Sequence, residues 1–191
     1  MVEPVPAASI EAPWSPEEEA ALIQAAQSSP AHFKELYLRW VTPVYRYFLH
    51  QIRHPEDAED LTSQVFLKVY EELPRYRHRG HFAAWLFTIA RNKCRDYFRK
   101  TSRQVAIEDS EGTATDPDLL AQVVRRDEVK LLDHLIRALP SGELEMIRLR
   151  YVAGLSYAEI GTLLGRSEEA TRKAISRLLA RLQWQMGGNH E

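Results

Sequence analysis

The sequence predicts an all-α protein, two small helical domains joined by a flexible linker. Three observations point there. Apolar residues recur at helical spacing on both sides of residues 101–117. Helix starts recur as Ser-Pro, His-Pro and Ser-x-x-Glu. No segment reads as a strand, and over residues 101–117 periodicity gives way to Ser, Thr, Gly, Asp and Glu.

The elements follow in chain order. Residues 1–28 form an N-terminal extension, Pro-rich and acidic at first and expected to be partly disordered. Within it, Ser15 with Pro16 and Glu18 makes a capping box that opens a helix. The first domain spans 29–100. Ser29-Pro30 starts a helix whose apolar face is Phe33, Leu36, Tyr37, Trp40, Val44, Tyr47 and Phe48, with Pro43 placed to kink or split it. His54-Pro55 starts the next, with Ala58, Leu61, Val65, Phe66, Val69 and Leu73 on one face and Pro74 ending it. Residues 75–81, with Gly80, read as a loop. A long helix from Phe82 to about Lys100 turns Trp85, Leu86, Ile89 and Ala90 inward. The linker, 101–117, carries like charges that keep it extended. The second domain, 118–186, holds four helices: from Asp118 to Leu139, from Ser141 to Gly154, from the Ser156–Glu159 capping box to Gly165, and from Ser167 to about Trp184. Residues 187–191 are a tail.

Composition excludes several classes. The chain of 191 residues is 45% hydrophobic and 27% charged, as in ordinary globular proteins. No apolar run is long enough to span a membrane, and the N-terminus lacks the basic start and apolar core of a signal peptide, so the expectation is a cytoplasmic protein without membrane insertion. One cysteine, Cys94, excludes an internal disulfide and a cysteine-rich zinc site and reads as a small apolar helix residue. No cofactor or metal is expected. The net charge of -2 conceals segregation: 1–19 and 104–118 hold acidic charges, whereas 75–103 is strongly basic.

Two stretches carry chemistry. In the first, the acidic Glu56, Asp57, Glu59 and Asp60 precede a basic helix bearing Arg91, Lys93, Arg95, Arg99 and Lys100 among aromatic residues. Cations neutralise phosphates and aromatic faces accept unstacked bases, a combination suited to single-stranded nucleic acid. Trp85 and Phe87 read as core; Tyr97 and Phe98 stay open between core and stacking. In the second, residues 156–182 read as a helix-turn-helix. Ala158, Ile160, Leu163 and Leu164 pack its first helix; Ala170, Ala174, Ile175, Leu178, Leu179 and Leu182 pack its second. Arg172, Lys173, Ser176, Arg177 and Arg181 face outward, where a major-groove reader needs donors. Arg166 and Ser167 at the turn sit where phosphates lie. Charge alone would slightly favour a helical hairpin with a solvated face; the capping box, the Gly165 turn and the small alanines shift the reading to DNA binding.

These residues resemble a known family. AEDLTSQVFLKVYEELPRYR and FAAWLFTIARNKCRDYFRK are similar to region two of the sigma-70 family of bacterial transcription initiation factors, and LPSGELEMIRLRYVAGLSYAEIGTLLGRSEEATRKAISRLLARL to region four. Two such regions with a short linker resemble the extracytoplasmic-function (ECF) subgroup. The resemblance implies a sigma region 2-like helical bundle and a region 4-like helix-turn-helix. It implies that Asp57, Asp60, Leu61, Gln64 and Phe66 dock on core RNA polymerase. Arg75, Arg77 and Arg79 of the loop, with Arg91, Asn92, Lys93, Asp96, Tyr97, Arg99 and Lys100, would recognise and open the −10 promoter element. Arg166, Ser167, Arg172, Lys173, Ser176 and Arg177 would engage the −35 element. Partners implied are core polymerase, promoter DNA as duplex and melted strand, and an anti-sigma factor. The sequence departs from the family pattern at Ser63, where glutamine is frequent, and at Lys173 and Ala174, where serine and arginine are frequent.

The expected function is therefore a promoter-specificity subunit, not an enzyme. A conventional helix-turn-helix regulator is the alternative, although it has no need of the basic, aromatic helix. For an enzyme, no nucleophile–base pair or phosphate loop is present, and the acidic cluster near His54 lacks a second ligand set.

Overall fold

The computed structural model describes residues 15–78, 80–105 and 125–187. The expected N-terminal disorder, most of the linker, Arg79 and the last tail residues lie outside the described residues. Among the described residues the chain is helical: α1 (Pro16–Ser28), α2 (Pro30–Ile52), α3 (Pro55–Glu72), a 3-10 turn (Leu73–Arg75), α4 (Phe82–Val105), α5 (Arg125–Arg137), α6 (Ser141–Ile147), a π-helical turn (Arg148–Val152), α7 (Tyr157–Leu164) and α8 (Glu168–Gly187).

The helix starts form as their sequences dictate. The Ser15 hydroxyl accepts from the Glu18 backbone N–H, and the Glu18 carboxylate accepts from the Ser15 N–H. This completes a reciprocal capping box. Ser156 and Glu159 repeat the arrangement at α7. α2 runs unbroken through Pro43. A proline costs a helix one N–H, but the buried Val44, Tyr47 and Phe48 and the packed Trp40 hold the turns on either side against the core. At the α2–α3 corner Arg53 takes the left-handed conformation, with φ of 61°, and His54 caps α3.

α1 to α4 form the first bundle around Ile23, Leu36, Val44, Phe48, Val65, Val69, Leu86, Phe87 and Ala90. The burial of Ile23 and Ala26 makes α1 part of this bundle, so its packing begins at the Ser15 cap rather than at residue 29. The second unit is built on Met146, Leu149, Leu155, Ile160 and Ile175, and the two cores are continuous. α4 packs on α7, and α2 on the π-helical turn. That turn is where the expected single helix from Ser141 gives way: the Ala153 N–H reaches five residues back to the Arg148 carbonyl, and Gly154, with φ of 78°, ends it.

The α7–α8 turn corrects one expectation. Ala170 is exposed and Thr171 occupies the buried place at the crossing. Ser167 caps α8 by accepting from the Ala170 N–H, and that cap turns position 171, not 170, inward. The Thr171 hydroxyl is satisfied by donating to the Ser167 carbonyl at 3.0 Å. The close approach is made by Gly161: a Cβ there would lie 2.7 Å from the Arg166 carbonyl oxygen. Gly161→Ala should therefore destabilise the fold by about 1–3 kcal/mol, the range for overpacking a tight site, read as a lower urea midpoint.

Candidate nucleic-acid interface

α3 and α4 lie side by side and bring the acidic and basic stretches together. The Tyr97 hydroxyl of α4 donates to Asp57 of α3 at 2.7 Å. Asp60 accepts from the Gln64 amide at 2.7 Å, and Gln64 in turn accepts from Lys93 at 3.1 Å. A groove of about 240 Å³ runs between them, lined by Asp60, Gln64, Lys93, Asp96, Tyr97 and Arg99. The acidic and basic faces thus meet along one edge. Burial and the bond to Asp57 push the Tyr97 phenol up, so it serves as a donor. Leu61 and Phe66 are buried in the core, Phe66 edge-on to Tyr37 at 4.8 Å, so of the five expected docking residues the polar three form the accessible part.

Arg75 and Arg77 are exposed on the segment between α3 and α4. Between them Tyr76 turns inward against Trp85, with ring centroids 4.4 Å apart. Asn92, Asp96, Arg99 and Lys100 are exposed along α4, with Arg99 paired to Asp96 at 2.9 Å. Phe87 is fully buried; Phe98 keeps 43% exposure and Tyr97 is half-buried.

Arg91 does not join its neighbours. Its Nε donates to Glu145 of α6 at 2.9 Å. Glu145 also accepts from the Tyr47 hydroxyl at 2.9 Å and from the Gln51 amide at 2.8 Å. Arg148 completes the cluster by donating to the Gln51 side chain. One carboxylate of the second unit therefore gathers three donors from the first. Burial, reinforced by Glu145, pushes the Tyr47 phenol far up. Cys94 nearby is pushed up to about 11, chiefly by burial, which leaves it an inert thiol. A cleft of about 380 Å³ beside this node is lined by Arg91, Arg95, Phe98, Glu145 and Arg166, so an expected −10 residue and an expected −35 residue share it.

On α8, Arg172, Lys173, Ser176 and Arg177 are all exposed, as are Arg166 and Ser167 at the turn. Arg172 pairs with Glu168, and Lys173 with Glu169 at 2.6 Å, each one turn back. The Arg172 guanidinium also lies 5.5 Å from the Tyr157 ring centre, and Arg150 covers the same ring at 4.6 Å. Glu168 and Glu169 are thus the resting partners of the cations one turn on.

Sequence reasoning missed Gln51, Glu145 and Thr171. Glu145 lies 94 residues from Gln51 and 98 from Tyr47 in the chain, and no local pattern links them. The fixed spacing Ser167–Thr171 within a capped turn was a usable signal for the third. Among the described residues no group of three or more His, Cys, Asp or Glu side chains could hold a metal ion, and no helix is long and apolar enough to cross a membrane.

The chain is similar to known proteins over most of its length. A family model for Sigma-70 region 2 matches residues 35–104, and one for Sigma-70, region 4 matches 130–182. The chain is 34% identical over 175 residues to the ECF RNA polymerase sigma factor BldN of Streptomyces coelicolor, covering 84% of this chain and 64% of the relative's length. It is 34% identical to the RNA polymerase sigma factor CarQ of Myxococcus xanthus, covering 81% of this chain and 89% of that one. Among solved structures, CnrH in complex with the cytosolic domain of CnrY is similar at a TM-score of 0.58 and 25% identity, over 88% of this chain and 96% of that one. The sigma factor RpoE in complex with the anti-sigma factor NepR from Bartonella quintana is similar at 0.58 and 25%, over 81% and 96%.

Glu145→Ala should separate the two units. It leaves Tyr47, Gln51 and Arg91 without their acceptor, at a cost of about 2–3 kcal/mol, below that of a fully buried pair because Arg91 keeps partial exposure. Urea denaturation should show the loss, and small-angle scattering a larger radius of gyration.

Proposed function

This chain belongs to the sigma-70 family of RNA polymerase sigma factors, in its extracytoplasmic-function subgroup, and from that premise we propose that it binds core polymerase and directs promoter-specific initiation. The observation that carries the reading is the shared edge of α3 and α4, where carboxylates and cations lie across one groove, in a chain that also holds an exposed, donor-rich helix-turn-helix. The α3 side, Asp57, Asp60 and Gln64, meets polymerase. The α4 side and the preceding loop capture the −10 strand, and α8 reads −35 duplex from Arg172, Lys173, Ser176 and Arg177, with Arg166 and Ser167 on phosphates.

The mechanism is binding energy rather than catalysis, and we read the protein as acting in the cytoplasm without enzymatic activity. Phosphate contacts position the protein, base contacts specify the sequence, and captured bases offset the cost of unpairing. Most of the side chains involved already have partners within the chain, so engagement is an exchange. Arg91 must leave Glu145, and Arg172 must leave Glu168, before either meets DNA. We extend the reading to an anti-sigma partner, because one similar structure is the sigma factor RpoE held by the anti-sigma factor NepR, and another is CnrH held by the cytosolic domain of CnrY. Co-purification with core polymerase, followed by run-off transcription on genomic promoters, tests the function. Tight sequence-specific duplex binding by the free chain, without polymerase, would instead make it a conventional regulator.

Two substitutions separate the interfaces. Asp60→Lys should weaken core binding by about 2–5 kcal/mol with helix content unchanged by circular dichroism; an unchanged affinity in a pull-down titration removes the assignment. Arg166→Ala should weaken binding to all −35 sequences about equally and lower the salt slope by roughly one. Arg172→Ala should instead change the preferred base, by about 1–3 kcal/mol per good contact. Selection over randomised −35 sequences distinguishes the two, and the reverse pattern would mean that α8 enters the groove in a different orientation.

A further inference from the structure

α1 touches the segment between α3 and α4 at both ends. At its entry, the Gln27 side-chain amide donates to the Leu73 carbonyl at 3.0 Å and to the Tyr76 carbonyl at 2.6 Å. At its exit, the Glu19 carboxylate lies 4.0 Å from the His78 ring. Gln27 is partly buried, and it sits one turn beyond Ile23, whose side chain is 1% exposed, so its amide is carried by a packed helix face.

The bonds fall where the chain has left its helical ladder. The Leu73 carbonyl already accepts from the Tyr76 N–H at 3.0 Å within the 3-10 turn, whereas the Tyr76 carbonyl lies past the end of that turn, and a partly buried carbonyl needs a donor. Gln27 supplies two donors from one amide group, an arrangement that a residue without an –NH₂ cannot reproduce. The fixed point matters because Tyr76 faces inward, stacked near Trp85, whereas its neighbours Arg75 and Arg77 face outward. Holding the backbone at 73 and 76 therefore sets the direction in which the two arginines leave the surface. Neither Gln27 nor Glu19 lies within the residues matched by the family models, which begin at 35.

We infer that α1 belongs to the −10 recognition machinery, with Gln27 as a positioning residue that sets the path of the Arg75–Arg77 segment. The inference rests on the proposed promoter reading by that segment. Bases that it captures would be selected only when the arginines start from a defined backbone, since a displacement of about an ångström degrades a positioned contact.

The test uses holoenzyme assembled from core polymerase and the full chain, either wild type or carrying Gln27→Leu or Gln27→Glu. The first variant removes both donors at similar size. The second keeps the shape and polarity, so it stands in if Gln27→Leu fails to fold. Run-off transcription is measured on a promoter obtained from the genomic selection and on single-base variants of its −10 and −35 elements. Both variants should lose −10 discrimination by about tenfold, the scale of one buried acceptor left without a partner, while −35 discrimination and affinity for core stay at wild-type values. Retention of −10 discrimination overturns the inference. So does a parallel fall in −10 discrimination, −35 discrimination and core affinity, which would make Gln27 a residue of general stability. A wild-type holoenzyme indifferent to the −10 sequence would overturn the promoter reading itself, a result distinct from either.

Discussion

The arrangement of the described residues depends on one carboxylate. Glu145 sits at the seam between the two units and is nearly buried, and it accepts from Tyr47, Gln51 and Arg91. A charge in such a place costs several kcal/mol in lost hydration unless its lone pairs are filled. Tyr47 and Gln51 from α2 and Arg91 from α4 fill them. The node therefore specifies how α6 meets the first bundle, and through α6 the position of α7 and α8. Apolar packing, with Met146, Leu149 and Ile160 continuing the first bundle's core, adds area but little register, since hydrophobic contact is non-directional.

The same economy governs the functional side chains. Tyr97 holds Asp57, Gln64 bridges Asp60 to Lys93, Asp96 holds Arg99, and Glu168 and Glu169 hold Arg172 and Lys173. Most of these pairs are exposed, and exposed pairs contribute about 0–1 kcal/mol each. They are weak enough to be exchanged for a phosphate or a polymerase side chain, yet they hold long side chains near their working positions. The slightly negative net charge fits this pattern: opposite charges lie next to one another and reduce the field seen at a distance. Arg91 is the exception. Its partner is shared and largely buried, so its release costs more than that of any surface cation.

Much of the architecture was readable from the chain. Capping boxes at Ser15 and Ser156, proline starts at 16, 30 and 55, and the 3.6-residue recurrence of apolar side chains are local signals, and local hydrogen bonding enforces them. The outward face of α8 was equally legible, because Arg172, Lys173, Ser176 and Arg177 lie opposite Ile175, Leu178 and Leu182 on a helix of known period. At Pro43, where the local signal was ambiguous, the tertiary structure settled it by packing α2 through the proline, whereas the Ser167 cap, a local bond, placed Thr171 rather than Ala170 at the helix crossing.

By itself, then, the sequence determined the helices, their caps, their apolar faces and the segregation of charge, because each depends on residues within a few turns of one another. Tertiary structure decided what those faces meet. It alone brought Asp57 to Tyr97, Gln27 to the carbonyls of 73 and 76, and Glu145 to Tyr47, across separations of 40 to 98 residues. The physical reason is that a polar side chain's partner is set by three-dimensional reach and desolvation, which chain periodicity does not encode. The sequence therefore named the surfaces, and only the fold showed which of their side chains are held and by what.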